Sequence, residues 1–494
     1  MDVGEPRRLR RELNIWEAIG ISVALMAPSM AANINPQGIV GSVGRAVPLT
    51  FVLATVGVLL VSWTFVRLCQ RFHHSGSVYG FVGATLGPRA GVVAGLGLVG
   101  TYTFYGVVTS MAAGRIFSAF LEGIGAWHSP PDWAAFVIAA VVLGGVYLLT
   151  VAPVRRGTRT LLVIEGATVL LILLVGLVVL VRLLAGTAPG GHTVTFSPFT
   201  VDSGTDASTL FLGVVFGFLS FAGFEAAATL GEEAREPRRD IPRAILGTAI
   251  FGGLYFIFIT WIEVMGFGDD DKGLKAFGSS GALVADLGSS YVGSWLGDLI
   301  SLGASISAFG CALACAVGAS RLIYALARDG VAPAPIARVS ASRGTPEVAA
   351  AAIVGAMLAL DIVVGLLYRG EDSPSLATFI AASTIGTLIL LVVYVLATIG
   401  ATRLVFFPAG RAAVRAEIVI PILGLALLGY TLWRNVVPFP EGSMRWLPIT
   451  AAVWLLAALA FVLLRPAVAR RAGEELTAAE GLSAQPDVRA GEAV

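Results

Sequence analysis

Apolar stretches of about 20 residues recur along the whole of this chain, and that repetition decides its fold class. A helix of that length crosses the hydrocarbon core of a bilayer. Twelve stretches are expected to do so: 14–43, 47–69, 89–121, 133–152, 161–184, 209–231, 241–267, 292–327, 347–368, 374–402, 416–436 and 446–465. Composition agrees: 13% of the 494 residues are charged and 56% are hydrophobic, whereas soluble domains carry about 25% charge. The chain reads as an all-α polytopic membrane protein with 12 transmembrane helices.

Prolines and charges mark the turns, at Pro48, Pro88, Pro130–Pro131, Pro198, Pro242, Pro346, Pro374 and Pro448. With the N-terminus inside, 25 of the 33 Lys and Arg fall on the inner side and 8 on the outer. This bias orients membrane proteins, so both termini are expected in the cytoplasm and the protein in the plasma membrane. The acidic stretch 269–272 falls outside. Basic residues precede the first stretch with no small-residue cleavage site after it, so it reads as a membrane helix, not a removed leader. Residues 1–13 form a cytoplasmic N-terminus, and the polar segment 466–494 is expected to be a disordered cytoplasmic tail.

Net charge is +1, and no basic run with interleaved aromatics points to nucleic acid. Cys69, Cys311 and Cys315 lie in apolar runs and read as reduced packing residues. No metal or cofactor is expected, since a site would need His or carboxylate beside them.

The first stretch contains MAPSMAANINPQG (26–38). A membrane helix tolerates such an interruption only where the freed backbone faces protein or a watery cavity. Stretch 6 has a matching small, polar centre, Ser220-Phe221-Ala222-Gly223, followed by Glu225. Two interrupted helices five apart in order point to an inverted-repeat transporter that holds its substrate at the midplane. A break offers free N–H groups on one half-helix and free carbonyls on the other. A zwitterion with a carboxylate and an amine suits both, and an α-amino acid is the simplest.

Three motifs sharpen this. HSGSVYGFVGATLGPRAG (74–91), SFAGFEAAATLGEEAREPRRDIPRAI (220–245) and ASRLIYALARDGVAP (319–333) resemble stretches of the amino acid–polyamine–organocation permeases. The resemblance covers about residues 14–465. It implies the LeuT-like fold: a first five-helix repeat over 14–184, an inverted second over 209–402, and helices 11 and 12 over 416–465. It implies secondary transport of amino acids or related amines. The unwound, substrate-holding segments would be Ala27, Pro28, Ser29, Met30, Ala31 and Ala32 in helix 1, and Ser220, Phe221, Ala222 and Gly223 through Glu225 in helix 6. Many relatives carry a Gly-Ser-Gly stretch where this chain has Ala27-Pro28-Ser29-Met30. A gating Trp of some relatives is here Leu219, with Phe216, Phe218, Phe221 or Phe224 as substitute lids. A coupling lysine of some relatives falls near Thr168, three residues after Glu165.

Each ionisable group inside a span costs about 2.5–3.5 kcal/mol and needs a reason. Glu225 sits at the helix 6 break. It can exchange the coupling proton, bind a substrate amine, or cap broken backbone. Glu165 in helix 5 reads either as a coupling group or as a partner of Arg159. Asp361 in helix 9 reads as a local hydrogen-bonding residue, and Glu263 in helix 7 as an outer-vestibule or loop anchor. Ser305 and Ser307 in helix 8 form a candidate cation site or pack the helix. Tyr102 in helix 3 is a candidate wall of the cavity. The loop 235–242 reads as an inner gate or as a charge anchor with a proline-started helix 7.

The function expected is alternating-access transport of an amino acid coupled to a proton, or to sodium, as a monomer or homodimer. A polyamine or amine transporter, an amino acid exchanger and a non-transporting sensor are the alternatives. An enzyme is not expected: His73, His74, His128 and His192 all fall in loops, and no nucleophile–base or metal motif has a plausible context.

Overall fold

The computed structural model describes residues 15–72, 77–152, 157–201, 206–230, 236–340, 345–407 and 415–479. Their regular elements are all helices. The first stretch comes as three pieces, α1 (Ile15–Leu25), α2 (Pro28–Ile34) and α3 (Gln37–Val43). Helix α4 (Val47–Arg71) and the short α5 (Val78–Leu86) follow, then α6 (Pro88–Gly123), α7 (Trp133–Val151) and α8 (Gly157–Leu184). The second half opens with α9 (Leu210–Ser220) and α10 (Pro237–Phe267), and the hairpin α11 (Asp271–Ser279) and α12 (Leu283–Tyr291) comes next. It continues with α13 (Ser294–Arg328), α14 (Glu347–Leu367) and α15 (Pro374–Phe406). The last helices are α16 (Val419–Arg434), α17 (Trp446–Leu464) and α18 (Pro466–Ala479).

Ten helical segments among the described residues are long and apolar enough to cross a membrane. The expected stretches 14–43 and 209–231 are missing from that set because each is interrupted; their longest apolar pieces are Ala18–Ile34 and Ala207–Ser220. Lipid-facing and protein-facing stripes separate by helical period. On α8, Leu170, Leu174, Leu177, Val181 and Leu184 are exposed, while Val169, Ile172, Val175, Val179 and Leu183 are buried. A soluble helix would not expose the first stripe; hydrocarbon accepts it.

Stretches five apart in order pack on one another: the second on the seventh (α4 on α10), the third on the eighth (α6 on α13), and α1 of the first on the segment of the sixth after α9. Helices α6 and α13 are near-equal in length, 36 and 35 residues, and form the central pair. This pairing of equivalents is what a five-plus-five inverted repeat produces, and the fold is the LeuT-like one that the resemblance implied. Prolines start α6 and α15, where a missing N–H removes no helical bond.

Three expectations need correction. Pro242 marks no turn: α10 begins at Pro237, so most of the 235–242 segment is helix and Pro242 lies inside it. Arg235 and the side chain of Arg159 are outside the described residues. Residues 466–479, expected to be disordered, form helix α18 packed against α5, α6 and α17. Small residues allow this approach: Ala469 and Ala472 are fully buried, and Gly473 lies on the Pro88 carbonyl. Residues 480–494 are outside the described set.

Candidate functional site

We call the face bearing Asp269–Lys272 outer. Helix α1 ends where Ala27 takes a left-handed conformation (φ 47°), and Pro28 starts α2 directly after it. The break is narrower than expected. Only Met26 and Ala27 leave the helix, whereas Pro28, Ser29, Met30, Ala31 and Ala32 belong to α2. Proline at the first position has no N–H to leave unpaired; Ala31 donates to Ala27 O at 2.9 Å, while the Ser29 N–H turns to a carboxylate. In the other half the unwound segment starts one residue later than expected: Ser220 is the last residue of α9, residues 221–225 form turns, and a 3₁₀ segment runs from Ala226 to Leu230.

The two breaks touch. Gly223 has φ 105°, and a Cβ there would stand 3.1 Å from the Leu25 carbonyl carbon and 3.3 Å from its oxygen. Glycine is thus required twice, by conformation and by space. Cys311 of α13 directs its thiol at the same Leu25 carbonyl, 3.8 Å away.

The N-terminal end of α2 is already occupied by a carboxylate of the protein. Ser29 N–H donates to Glu165 Oε1 at 2.9 Å, where the helix dipole favours negative charge. Glu165 is buried, beside the hydroxyls of Ser29 and Ser307. Of the proposed cation pair, only Ser307 is there. Ser305 donates to Ser301 O on its own helix at 2.8 Å, and two residues along a helix point to different sides.

Glu225 follows the other break. Tyr394 Oη on α15 donates to its Oε1 at 2.9 Å, and Oε2 has no partner among the described residues. Aromatic rings surround this contact: Phe65 and Phe224 meet Tyr394 edge-on at 5.7 and 6.1 Å. Tyr102 is half-buried, its ring over Gly318 of α13. Ala222, Glu225 and Cys311 are half-buried as well, with Glu225 Oε2 itself buried.

The outer side is shut. Phe216 lies on Gly38. Asn35 donates to Ser220 Oγ at 2.7 Å, joining α9 to the outer end of the first stretch. Asn33 accepts from Ala285 N–H at 3.1 Å, and Gln37 donates to Ser280 O at 2.6 Å, so the α11–α12 hairpin clamps α2 and α3. Phe216 and Phe224 therefore serve different ends, the first in the outer seal and the second beside Glu225. Phe221 is fully buried edge-on to Phe256, 5.5 Å away.

Comparison with known proteins bears on what such a site is for. The amino acid permease family model matches residues 17–474. This chain belongs to the amino acid permease family. The low-affinity putrescine importer PlaP of Escherichia coli K12 is 26% identical over 330 residues, 66% of this chain and 68% of that protein. The branched-chain amino acid permease BcaP of Bacillus subtilis is 22% identical over 392 residues, 74% of this chain and 79% of that one. Human cationic amino acid transporter 4 is 26% identical over 368 residues, 69% and 52% respectively. Like other members of its family, this permease is a multi-pass membrane transporter of amino acids or amines.

Sequence reading missed Tyr394 and Tyr255. Each is a hydrogen-bonding side chain in an apolar stretch, and that was the available signal. Tyr255 donates to Pro28 O at 3.3 Å, holding the start of α2 against α10. Asp361 behaves as read, accepting from Ser110 at 3.0 Å.

Proposed function

We propose that this permease carries an amino acid or a related amine across the plasma membrane by alternating access, with its termini in the cytoplasm and a proton as coupling ion. The substrate sits between the two breaks, near Ala27 to Ala32 and Ser220 to Gly223, with Tyr102 on the wall. The observation that carries this reading is the contact of Gly223 with the Leu25 carbonyl beside a carboxyl, Glu225, that has one oxygen unengaged. A substrate ammonium fits between that oxygen and the carbonyl end of α1. A carboxylate fits at exposed N–H groups of the breaks.

Proton and substrate are carried together: Glu225 takes up a proton along with the substrate on the outer side and releases it on the inner side, and Tyr394 stays on its other oxygen. Glu165 holds the first turn of α2 through Ser29, so its charge state governs how firmly that half-helix is seated. The conformer described has its outer seal formed, one of the closed states that alternating access requires.

The test is flux in proteoliposomes. Labelled leucine, arginine and putrescine are offered with and without an acid-outside gradient. Saturable uptake of at least one, raised by the gradient, is expected. Binding without flux would leave a sensor, and flux indifferent to the gradient would remove the proton from the mechanism.

A further inference from the structure

Glu263 of α10 is fully buried, and neither of its carboxyl oxygens has a hydrogen-bond partner among the described residues. It lies four residues from the outer end of α10, yet no water-facing surface remains on it. The α11–α12 hairpin and α8 enclose this end of α10 together with the segment at Thr195, whose carbonyl accepts from Trp261 Nε1 at 3.0 Å. Leu287 and Val179 close on Gly266, one turn further along, and Tyr291 donates to the Gly266 carbonyl at 3.1 Å. The same hairpin seals the outer side through Asn33 and Gln37.

Among the described residues no element packed on α10 gives this carboxyl a partner. Helix α4 has its ionisable groups, Arg67, Cys69 and Arg71, at its inner end, and His192 lies against Gly268, beyond the outer end of α10. On α10 itself the nearest ionisable group is Tyr255, two turns inward, whose hydroxyl is given to Pro28 O. Helix α8 brings Glu165 toward the centre, engaged with Ser29, and Arg182 at its outer end. From α12 come Asp286, which accepts from Ser280, and Tyr291. Asp271, Lys272 and Lys275 of α11 are exposed, and Asp269 accepts from Ser197. None of these donates to Glu263. A carboxylate ion enclosed without a donor is strongly disfavoured, whereas the neutral acid can be enclosed.

We propose that Glu263 is the outer proton-loading group of the transport cycle: it binds one proton from the outer solution while the hairpin is lifted and is enclosed as the neutral acid when the hairpin closes. The proton comes from outer water, and no other bond changes. Closure of the outer seal then requires a proton, and this gives acid outside a direction. The inference rests on the proton-coupled reading above. Its residue is distinct from Glu225, which meets substrate, and Glu263 acts through the hairpin without touching it.

The full-length protein in proteoliposomes tests this with whichever of leucine, arginine or putrescine shows saturable flux. Wild type, Glu263→Gln and Glu263→Asp are compared in counterflow at symmetric pH and in acid-outside uptake over a range of external pH. Glu263→Gln is expected to keep counterflow within about twofold and to lose the external-pH dependence of uptake, with accumulation falling about tenfold; Glu263→Asp restores the pH dependence. A Glu263→Gln protein with the wild-type external-pH profile overturns the proposal. So does a parallel loss of counterflow and accumulation that Glu263→Asp does not rescue, since that marks a structural role. If wild type itself ignores the gradient, the proton-coupled reading fails first.

Discussion

Gly223 rests on the Leu25 carbonyl, so the gap in the sixth stretch and the gap in the first are one place. Gly223→Ala would add a Cβ 3.1 Å from that carbonyl carbon at a residue with φ 105°. Such backbone strain is worth about 1–3 kcal/mol, and 1.4 kcal/mol is about tenfold in rate. Uptake is expected to fall about tenfold or more at matched expression. Gly41→Ala, where nothing lies within 4 Å, is expected to leave it unchanged.

Among the described residues Tyr394 supplies the one side-chain donor on Glu225. Tyr394→Phe removes a hydrogen bond to a charge-bearing group, worth about 1.5–3 kcal/mol. The pH profile of uptake is expected to move, while Glu225→Gln is expected to flatten it. An unmoved profile in both variants would separate Glu225 from coupling.

Asp286, in the outer hairpin, offers a pH dependence of known sign. Burial pushes its carboxyl above the usual range and the nearby Glu122 adds to this, against the hydrogen bond from Ser280. The docked hairpin therefore binds more protons than the free one, and docking weakens as pH rises above the ordinary carboxyl range. Hydrogen exchange of residues 271–291 is expected to be slower at pH 5 than at pH 8 after correction for intrinsic rate. Asp286→Asn is expected to remove most of that difference, and Glu122→Gln part of it.

Gly473 seats α18 on the Pro88 carbonyl, where a side chain has no room. Gly473→Leu is expected to release the helix. Protease cleavage between residues 466 and 479 should then speed up several-fold, with the membrane helices still protected.

The apolar stretches of helical length were legible because hydrocarbon imposes a single requirement, an unbroken run of side chains it accepts. The interruptions were legible for the converse reason: Pro28, Pro36 and Gly38 have no place in a lipid-facing helix. Glu225 stood out because a carboxyl in such a run is costly. Tyr394 and Tyr255 did not stand out, since tyrosine in a membrane helix serves equally as packing, and only its partners distinguish it.

What the order of residues determined by itself was where the chain enters lipid and where it cannot remain a regular helix, because both depend on local hydrogen bonding and side-chain polarity. The tertiary structure decided the rest. It narrowed the first gap to Met26 and Ala27, put Glu165 on the Ser29 amide, and docked residues 466–479 as a helix. Each of these depends on which face of a helix meets which neighbour across more than a hundred residues of chain, and a contact of that range leaves no mark in the local pattern.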